Sequence, residues 1–321
     1  MYDCYVINSS FEKKVIPCKV ISMTFSFGGS NTLEPRPSEV KGLMRMVFRS
    51  LSKNKLNIEE ILEKEKELFG GVNKEAVASP IWIRMTKDEK TVKDYKRLLL
   101  HDKAKNRSNG PSFYAYLPDQ SFHITLTQSP YKTKARYSLE YYNNLLELSL
   151  LLGGIGRRSR RGRGCLSTEF SRSMTTTGLL QWAAERMNYY ADSKEEQLYI
   201  LSEDKCEIHR DASNSPELPV ILKVRVGGEI SDVEEFLKKV DEESHYFKKE
   251  NNRNAWVTGD AGRYNKLSSP IIVTLIETKD GIYPLYIYLK LINKKYQNGG
   301  GDREYTLRDE YVDNIERGGN K

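Results

Sequence analysis

The chain has 321 residues, of which 38% are apolar and 30% are charged, and its formal net charge is +7. This length allows two domains of ordinary size, and the composition excludes global disorder. No apolar run approaches the roughly 18 to 20 residues that cross a bilayer, so we expect no membrane association. The N-terminus lacks the basic and apolar regions of a secretory signal, which predicts a cytoplasmic protein.

The positive charge is confined to one half of the chain. Residues 1–170 hold 29 Lys and Arg against 18 Asp and Glu, whereas residues 171–321 hold 22 against 26. This asymmetry favours a nucleic-acid-facing domain over 1–170 and a slightly acidic domain over 171–321 with another task, such as protein contact. The four cysteines are far apart and lack metal-ligand spacing, so we expect reduced thiols, no metal and no cofactor.

The first predicted elements are a strand and a helix. Residues 15–27 alternate enough for a strand, and Ser38 is the expected N-cap of a helix that runs to about Ser52. One face of this helix is apolar, and another carries a basic stripe of Lys41, Arg45, Arg49 and Lys53. A solvated basic face is the plain alternative to nucleic-acid binding.

Further elements follow with recognisable boundaries. Asn57 and Glu60 form a predicted capping box for a helix that ends at Gly70, and a strand enters through Pro80. Residues 87–112 are expected to be a basic, partly mobile loop around a short helix. A strand over 121–128, a buried helix over 138–152 and a strand over 165–170 complete the first half.

The most unusual segment is residues 153–164, Gly-Gly-Ile-Gly-Arg-Arg-Ser-Arg-Arg-Gly-Arg-Gly, which we call the Gly/Arg loop. It follows a helix and has Ser159 where a dinucleotide-binding motif needs glycine, so neither that motif nor a P-loop fits. Arginine forks match phosphate oxygens, which predicts a flexible anion-binding loop that contacts nucleic acid through five side chains: Arg157, Arg158, Arg160, Arg161 and Arg163. A basic solvated linker is the alternative.

The order β-α-(α)-β-β-α-β is that of a ferredoxin-like domain, the topology that also underlies RNA-recognition domains. In the second half we predict a strand over 219–226, a helix capped by Ser231, a strand hairpin over 271–292 and a helix over 307–315. The Ser-Pro at 269–270 repeats the one at 79–80 and indicates a weak internal duplication. The fold class is therefore α+β, with two ferredoxin-like (RRM-like) domains and a glycine/arginine-rich loop.

Several motifs in this order resemble the RAMP superfamily of CRISPR effector proteins, in particular the RAMP subunits of type III-B complexes. They are Gly28-Gly29, the Arg36-x-Ser38-x-x-Lys41-Gly42-x-x-Arg45-x-x-x-Arg49 segment, Leu68-Phe69-Gly70, Ser79-Pro80 and the Gly/Arg loop. The resemblance implies a non-catalytic, RNA-binding subunit near the 3′ end of the guide RNA. Its implied partners are single-stranded guide and target RNA and other RAMP subunits, and Arg36, Lys41, Arg45 and Arg49 join the loop arginines as the expected RNA-binding residues. The segment Met46-Val47-Phe48 departs from the family in having fewer aromatic residues.

Two other functions remain open from the sequence. Some RAMP relatives are metal-independent endoribonucleases that process repeat RNA, but the four histidines, at 101, 123, 209 and 245, do not pair visibly. A protein-docking scaffold subunit is the third possibility. We also predict that helix one and the Gly/Arg loop form the two walls of one RNA cleft.

Overall fold

The computed structural model describes residues 12–28, 32–52, 57–72, 76–100, 112–128, 137–192, 197–202, 204, 206–211, 217–250, 255–261, 266–292 and 301–318. Within these residues the fold is mixed α/β with antiparallel sheets. No described helix has the length and apolar character needed to cross a membrane.

The first half contains a four-stranded antiparallel sheet with the order β4-β7-β1-β8. Its strands follow the ferredoxin-like order, because the second and third strands form a hairpin pair and the first lies between the third and the fourth. The elements are β1 (Lys13–Val20), α1 (Pro37–Ser50), α2 (Ile58–Phe69), β2 (Gly71–Val72), β3 (Ala76–Val77), β4 (Ile81–Lys87), β5 (Lys93–Arg97), β6 (Ser112–Tyr116), β7 (Ser121–Gln128), α3 (Leu139–Leu152) and β8 (Leu166–Thr168).

The second half contains a five-stranded antiparallel sheet with the order β14-β15-β11-β10-β9. Its first three strands repeat the order of the first sheet, but β10, which precedes β11, occupies the position that β8 holds there. The elements are α4 (Glu169–Ser173), α5 (Thr176–Tyr190), β9 (Tyr199–Ser202), β10 (Glu207–Arg210), β11 (Ile221–Val226), α6 (Val233–Glu250), α7 (Ala255–Thr258), β12 (Asp260–Ala261), β13 (Lys266–Leu267), β14 (Ile271–Thr278), β15 (Gly281–Leu289) and α8 (Gly301–Arg317).

The largest apolar core draws on both halves of the chain. Leu146 of α3, Leu180 of α5 and Ile276 of β14 belong to one cluster of buried side chains. Helix α3 packs on β7 and β8 of the first sheet and also on β14 of the second. It is apolar on almost every side because it is covered on almost every side.

Several local expectations are corrected. The N-cap of α1 is Arg36, not Ser38, because Pro37 takes the first helical position and Arg36 is extended. Strand β1 ends at Val20 rather than near residue 27, since the backbone of Ile21 donates to Cys165 O and Thr24 pairs with Tyr116.

Three further boundaries also differ. The N-cap of α6 is Asp232, whose Oδ1 accepts from Glu235 N at 3.0 Å, and not Ser231. Thr168 caps the short helix α4 where a strand over 165–170 was expected. The described parts of the 87–112 segment form the β5–β6 hairpin, whereas the expected short helix falls partly on residues 101–111, outside the described residues.

Other expectations are confirmed. The capping box of Asn57 and Glu60 is present, β7 spans the predicted residues 121–128, and Ser138 caps α3. The repeated Ser-Pro is also matched in geometry: Ser79 Oγ donates to Ile81 O at 2.7 Å, and Ser269 Oγ donates to Ile271 O at 2.6 Å.

Candidate nucleic-acid interface

The Gly/Arg loop is a packed element that joins the two halves. Arg157 N donates to Phe25 O at 2.9 Å and Gly164 N donates to Met23 O at 3.1 Å, which ties the loop to the segment after β1. Gly162 N donates to Val273 O at 2.8 Å, which ties it to β14 of the second sheet. The expectation of a flexible loop is therefore wrong.

The glycines of this loop serve close packing. Gly164 has a φ of +70°, and a Cβ built on it would lie 1.8 Å from Ile155 O. Gly156 has a φ of +79°, and its Cβ would lie 2.6 Å from Phe25 O. Only glycine combines this backbone conformation with such close backbone approach, so the loop is rich in glycine because it is tightly folded.

Two of the five loop arginines point into the protein. The side chain of Arg163 is 0% exposed, and its Nη2 pairs at 2.5 Å with Oδ2 of Asp241 on α6, which is also 0% exposed. Arg161 is buried and donates to the hydroxyl of Tyr311 at 2.6 Å and to the carbonyl of Thr258. Their guanidinium groups bind residues of the second half of the chain. We therefore do not count Arg161 and Arg163 among the residues that could bind RNA.

The other three arginines, Arg157, Arg158 and Arg160, form what we call the loop rim. Arg157 is exposed, and its guanidinium carbon lies 4.6 Å from the ring centre of Phe27 and 4.8 Å from that of Phe113. The side chain of Arg158 is 31% exposed, with a φ of +59°, and it lies 3.5 Å from Asp241 Oδ1. Burial lowers the pKa of Arg158 to about 10.

Arg160 completes the loop rim. It donates to Ser269 O at 2.7 Å, and burial lowers the pKa of its guanidinium, with Arg161 adding to the effect. It also lines the groove described below.

The basic stripe of α1 is engaged by neighbouring elements. Lys41 Nζ donates to Ser79 Oγ at 2.9 Å, and Arg45 donates to the carbonyls of Phe69 and Gly70. Burial lowers the pKa of Lys41.

The arginines of the stripe share one buried acid. Arg45 and Arg49 lie 3.6 and 3.5 Å from the Glu65 carboxylate of α2, and their side chains are 32% and 45% exposed. Both side chains therefore keep some access to solvent. Lys53 lies outside the described residues.

A groove of about 250 Å³ lies between α1 and the Gly/Arg loop. Helix α1 lines it with Glu39, Gly42, Leu43 and Met46, β14 with Ile272, and the loop with Gly153, Gly154, Ile155, Gly156, Ser159 and Arg160.

The stripe is not a wall of this groove. At 100° per residue, its side chains lie roughly a third of a turn around α1 from the groove-lining face. The prediction that the stripe and the five loop arginines line one cleft is therefore wrong, although the loop does face α1. RNA contact by the stripe itself stays a prediction.

Arg36 lies at the start of α1, near one end of the groove-lining face. Its Nη1 donates to Phe27 O at 2.9 Å and lies 3.8 Å from Glu39 Oε1, with the Arg36 side chain 42% exposed. It therefore joins the loop rim and Phe27 on one side of the molecule, and its contact with RNA also stays a prediction.

Among the described residues, histidines and acids do not gather into a metal site, since no group of three or more metal-ligating side chains is found there. His123 Nδ1 lies 3.1 Å from Asp88 Oδ1, and His209 Nε2 lies 2.9 Å from Glu207 Oε2. His101 lies outside the described residues.

The structure reveals three contributors that sequence reasoning missed. Asp241, inside a charged helix pattern, gives no sign that it is buried against a loop 78 residues away. Phe27 and Phe113 come from different segments and meet with ring centres 5.7 Å apart beside Arg157. These two rings lie beside the loop rim, whereas α1 itself contains few aromatic residues. Among the sequence signals, only the aromatic residues within 112–116 point to Phe113.

The sequence comparison identifies one family. Residues 31–167, which include α1 and the whole Gly/Arg loop, match the model of the RAMP superfamily. This part of the chain is similar to the RAMP superfamily. The resemblance that the motifs predict is thus confirmed, and no curated protein matches the chain.

Solved structures share the fold of this chain over nearly its whole length. Cmr1 from Pyrococcus furiosus, in its apo form, matches with a TM-score of 0.55 and 18% identity over 94% of this chain and 96% of its own. A chain of the type III-B Cmr-beta complex bound to cognate target RNA matches with a TM-score of 0.58 and 13% identity over 96% of this chain and 100% of its own. At these identities the likeness extends to the fold.

Proposed function

We propose that this protein is a non-catalytic RNA-binding subunit of a type III-B CRISPR effector complex and contacts guide or target RNA near the guide 3′ end. The observation that carries the proposal is the loop rim of Arg157, Arg158 and Arg160 beside a groove, inside the segment that matches the RAMP superfamily. The similarity to Cmr1 and to a chain of an RNA-bound Cmr complex supports it.

The chemistry of the loop rim suits a single strand. Guanidinium groups bind phosphate oxygens through paired hydrogen bonds, and such contacts position a strand without reading its sequence. The rings of Phe27 and Phe113 lie under the Arg157 guanidinium, and aromatic faces beside cations favour unpaired bases, which can stack. The packed backbone of the loop holds these groups in place before RNA arrives, which lowers the entropy lost on binding.

We also propose two ferredoxin-like domains divided near residue 170, with β10 in the place of a fourth strand in the second. The second half would dock neighbouring RAMP subunits, because its net charge is opposite in sign to that of the RNA-facing half. The two domains would share one core through α3, which favours a single folding unit over separable modules.

A metal-independent endoribonuclease is the second candidate, and the pair of His123 and Asp88 is the observation that favours it. A carboxylate 3.1 Å from a histidine nitrogen is an arrangement that can support general base catalysis. The two side chains are 38% and 45% exposed. No second histidine joins them in the described residues, and the pair is an ordinary way to satisfy a histidine on a strand.

Binding of labelled single-stranded RNA to the full-length chain, measured by fluorescence anisotropy over a series of salt concentrations, tests the proposal. We expect binding without cleavage and a steep salt dependence. Replacing Arg157 and Arg160 with alanine should lower the slope of log K against log salt by about 1.4, since each lost phosphate contact on a single strand lowers it by about 0.7.

Two matched variants sharpen this experiment. The double variant Arg45→Ala, Arg49→Ala removes the same charge from the stripe and should lower the slope less, because both guanidinium groups are already paired with Glu65. Lys238→Ala removes an exposed charge on α6 and should leave binding unchanged. Cleaved RNA products that disappear in His123→Ala would support the nuclease function. Absence of RNA binding at low salt would instead favour the docking-scaffold function.

A further inference from the structure

Glu39 is an unexpected residue to find in a groove that faces RNA. It lies in the first turn of α1, its side chain is only 19% exposed, and it lines the groove together with Arg160. Its Oε1 lies 3.8 Å from Arg36 Nη1, too far for a hydrogen bond. Its Oε2 is buried, so a ligand in the groove can reach only the exposed part of the carboxyl group. Burial raises the pKa of this carboxyl group, and a hydrogen bond from Ser26 and the charge of Arg36 oppose that rise.

A carboxylate in this position favours a ligand that donates a hydrogen bond. An ionised carboxylate only accepts hydrogen bonds and repels phosphate, so the group that satisfies it must be a donor. Arg160 on the loop side offers the opposite chemistry, donors for an anion. A groove with an acceptor on one wall, an arginine on the other and the apolar side chains of Leu43, Met46 and Ile272 between them matches a nucleotide, which has a phosphate, a flat apolar face and hydrogen-bond donors.

The size of the groove limits its occupant. Its volume of about 250 Å³ is below the roughly 300–1,000 Å³ of pockets that enclose drug-sized ligands, a size that suits one nucleotide better than several. A single strand whose bases are unstacked can place one nucleotide there, whereas a duplex cannot.

We propose that the groove receives one nucleotide of single-stranded RNA and that Glu39 accepts a hydrogen bond from a donor of that nucleotide, either the ribose 2′-hydroxyl or a base N–H. The inference rests on the proposed function and adds a specificity determinant to it: the loop rim binds phosphate of any sequence, and Glu39 distinguishes among nucleotides. A bound donor pairs with the part of the Glu39 carboxylate that faces the groove, whereas a nucleotide without that donor displaces water from the carboxylate and gives it no hydrogen bond in return.

The competing explanation is that Glu39 only repels RNA, and the two explanations predict effects of opposite sign. If the carboxylate merely adds negative charge, Glu39→Ala raises affinity for every oligonucleotide and steepens the salt dependence. If it accepts a hydrogen bond, Glu39→Ala weakens binding by about tenfold for RNA that carries the donor. Glu39→Gln keeps a carbonyl acceptor and should recover part of that loss.

The experiment measures anisotropy with three labelled decamers: oligoriboadenylate, oligodeoxyadenylate, and a ribose decamer of unsubstituted purine, which has no base N–H. A loss in Glu39→Ala that persists on the purine ribose decamer and vanishes on the deoxy decamer identifies the 2′-hydroxyl. The reverse pattern identifies the base. Glu59→Ala, which removes an exposed acid at the start of α2, controls for net charge, and thermal unfolding controls for folding.

Equal or tighter binding of oligoriboadenylate by Glu39→Ala, with the wild-type chain binding normally, overturns the inference and leaves the proposed function standing. Failure of the wild-type chain to bind any of the RNA decamers contradicts the proposed function, and the inference with it.

Discussion

Two regions of the molecule, which we call corners, repeat one local structure. One is stabilised by the basic stripe of α1 and the other by the Gly/Arg loop. In each corner a helix ends at a glycine with positive φ, a two-stranded ribbon follows, and a Ser-Pro leads into an edge strand. The first corner is built around Gly70 and Ser79, between α2 and β4. The second is built around Gly259 and Ser269, between α7 and β14.

Cations complete both corners in equivalent ways. In the first, Arg45 donates to the carbonyls that end α2, and Lys41 donates to Ser79 Oγ. In the second, Arg161 donates to the carbonyl of Thr258, the last residue of α7, and Arg160 donates to Ser269 O. The carbonyls at a helix end lack partners inside the helix, so a cation there satisfies them and interacts favourably with the helix dipole.

The corners differ in how deeply the charges are buried. In the first, the acid Glu65 is buried, but its partners Arg45 and Arg49 are 32% and 45% exposed. Beside the second, Asp241 and Arg163 are both 0% exposed. The same cation-rich composition therefore contributes a partly solvated stripe in one place and a buried ion pair in the other. We call this pair of Arg163 and Asp241 the buried brace. Charge density alone does not reveal which cations remain available to a ligand.

The largest expected effect comes from breaking the buried brace. Asp241→Asn leaves the Arg163 guanidinium buried without a counter-charge, which should lower the free energy of unfolding by about 3–5 kcal/mol. Glu65→Gln in the first corner should cost only about 1 kcal/mol, because water can solvate its partners. Urea unfolding of both variants measures the difference, and equal losses would contradict the distinction between brace and stripe.

The comparison also shows which features the sequence could predict. Periodicity predicts α1, α3 and β7, because their apolar patterns report directly on burial. The Asn57 capping box and the repeated Ser-Pro are local and equally readable. The two N-cap errors have different causes. Ser231 adjoins the capping residue Asp232, so neighbouring polar residues compete for one position, whereas Pro37 takes the first helical position of α1 ahead of Ser38.

The burial of Arg161 and Arg163 could not be predicted from the sequence, since it depends on residues far away in the chain. Arg163 is buried because α6 brings Asp241 to it, and Arg161 is buried because α8 brings Tyr311. A Gly/Arg composition is typical of a flexible phosphate-binding segment as well as of this packed one. The groove was missed for the same reason, since its lining requires the register between α1 and the loop.

The next largest effect tests whether the two corners are equivalent in their backbone. A Cβ on Gly70 would lie 2.6 Å from Ser79 N, and one on Gly259 would lie 2.7 Å from Ser269 N. Positive φ and this crowding should make Gly70→Ala and Gly259→Ala each lose roughly 2–4 kcal/mol of stability.

Gly42 provides the control for these glycine variants. It lies inside α1, and a Cβ there meets nothing within 4 Å. Gly42→Ala should therefore raise stability by about 0.5–1 kcal/mol. A clear difference between the losses at Gly70 and Gly259, measured by urea unfolding, would show that the corners are alike in outline only.

The smallest expected effect separates a side-chain contact from a backbone contact. Ser79→Ala and Ser269→Ala each remove a hydroxyl that donates to a strand carbonyl, which should cost about 0.5–1.5 kcal/mol. Lys41 donates to the Ser79 hydroxyl itself, whereas Arg160 donates to the Ser269 carbonyl, which the substitution leaves in place. A double-mutant cycle should therefore give a coupling of about 0.5 kcal/mol between Lys41 and Ser79 and a coupling close to zero between Arg160 and Ser269. Substantial coupling in the second pair would mean that the Ser269 hydroxyl controls where its carbonyl points, and that Arg160 is positioned at the groove by the corner as a whole.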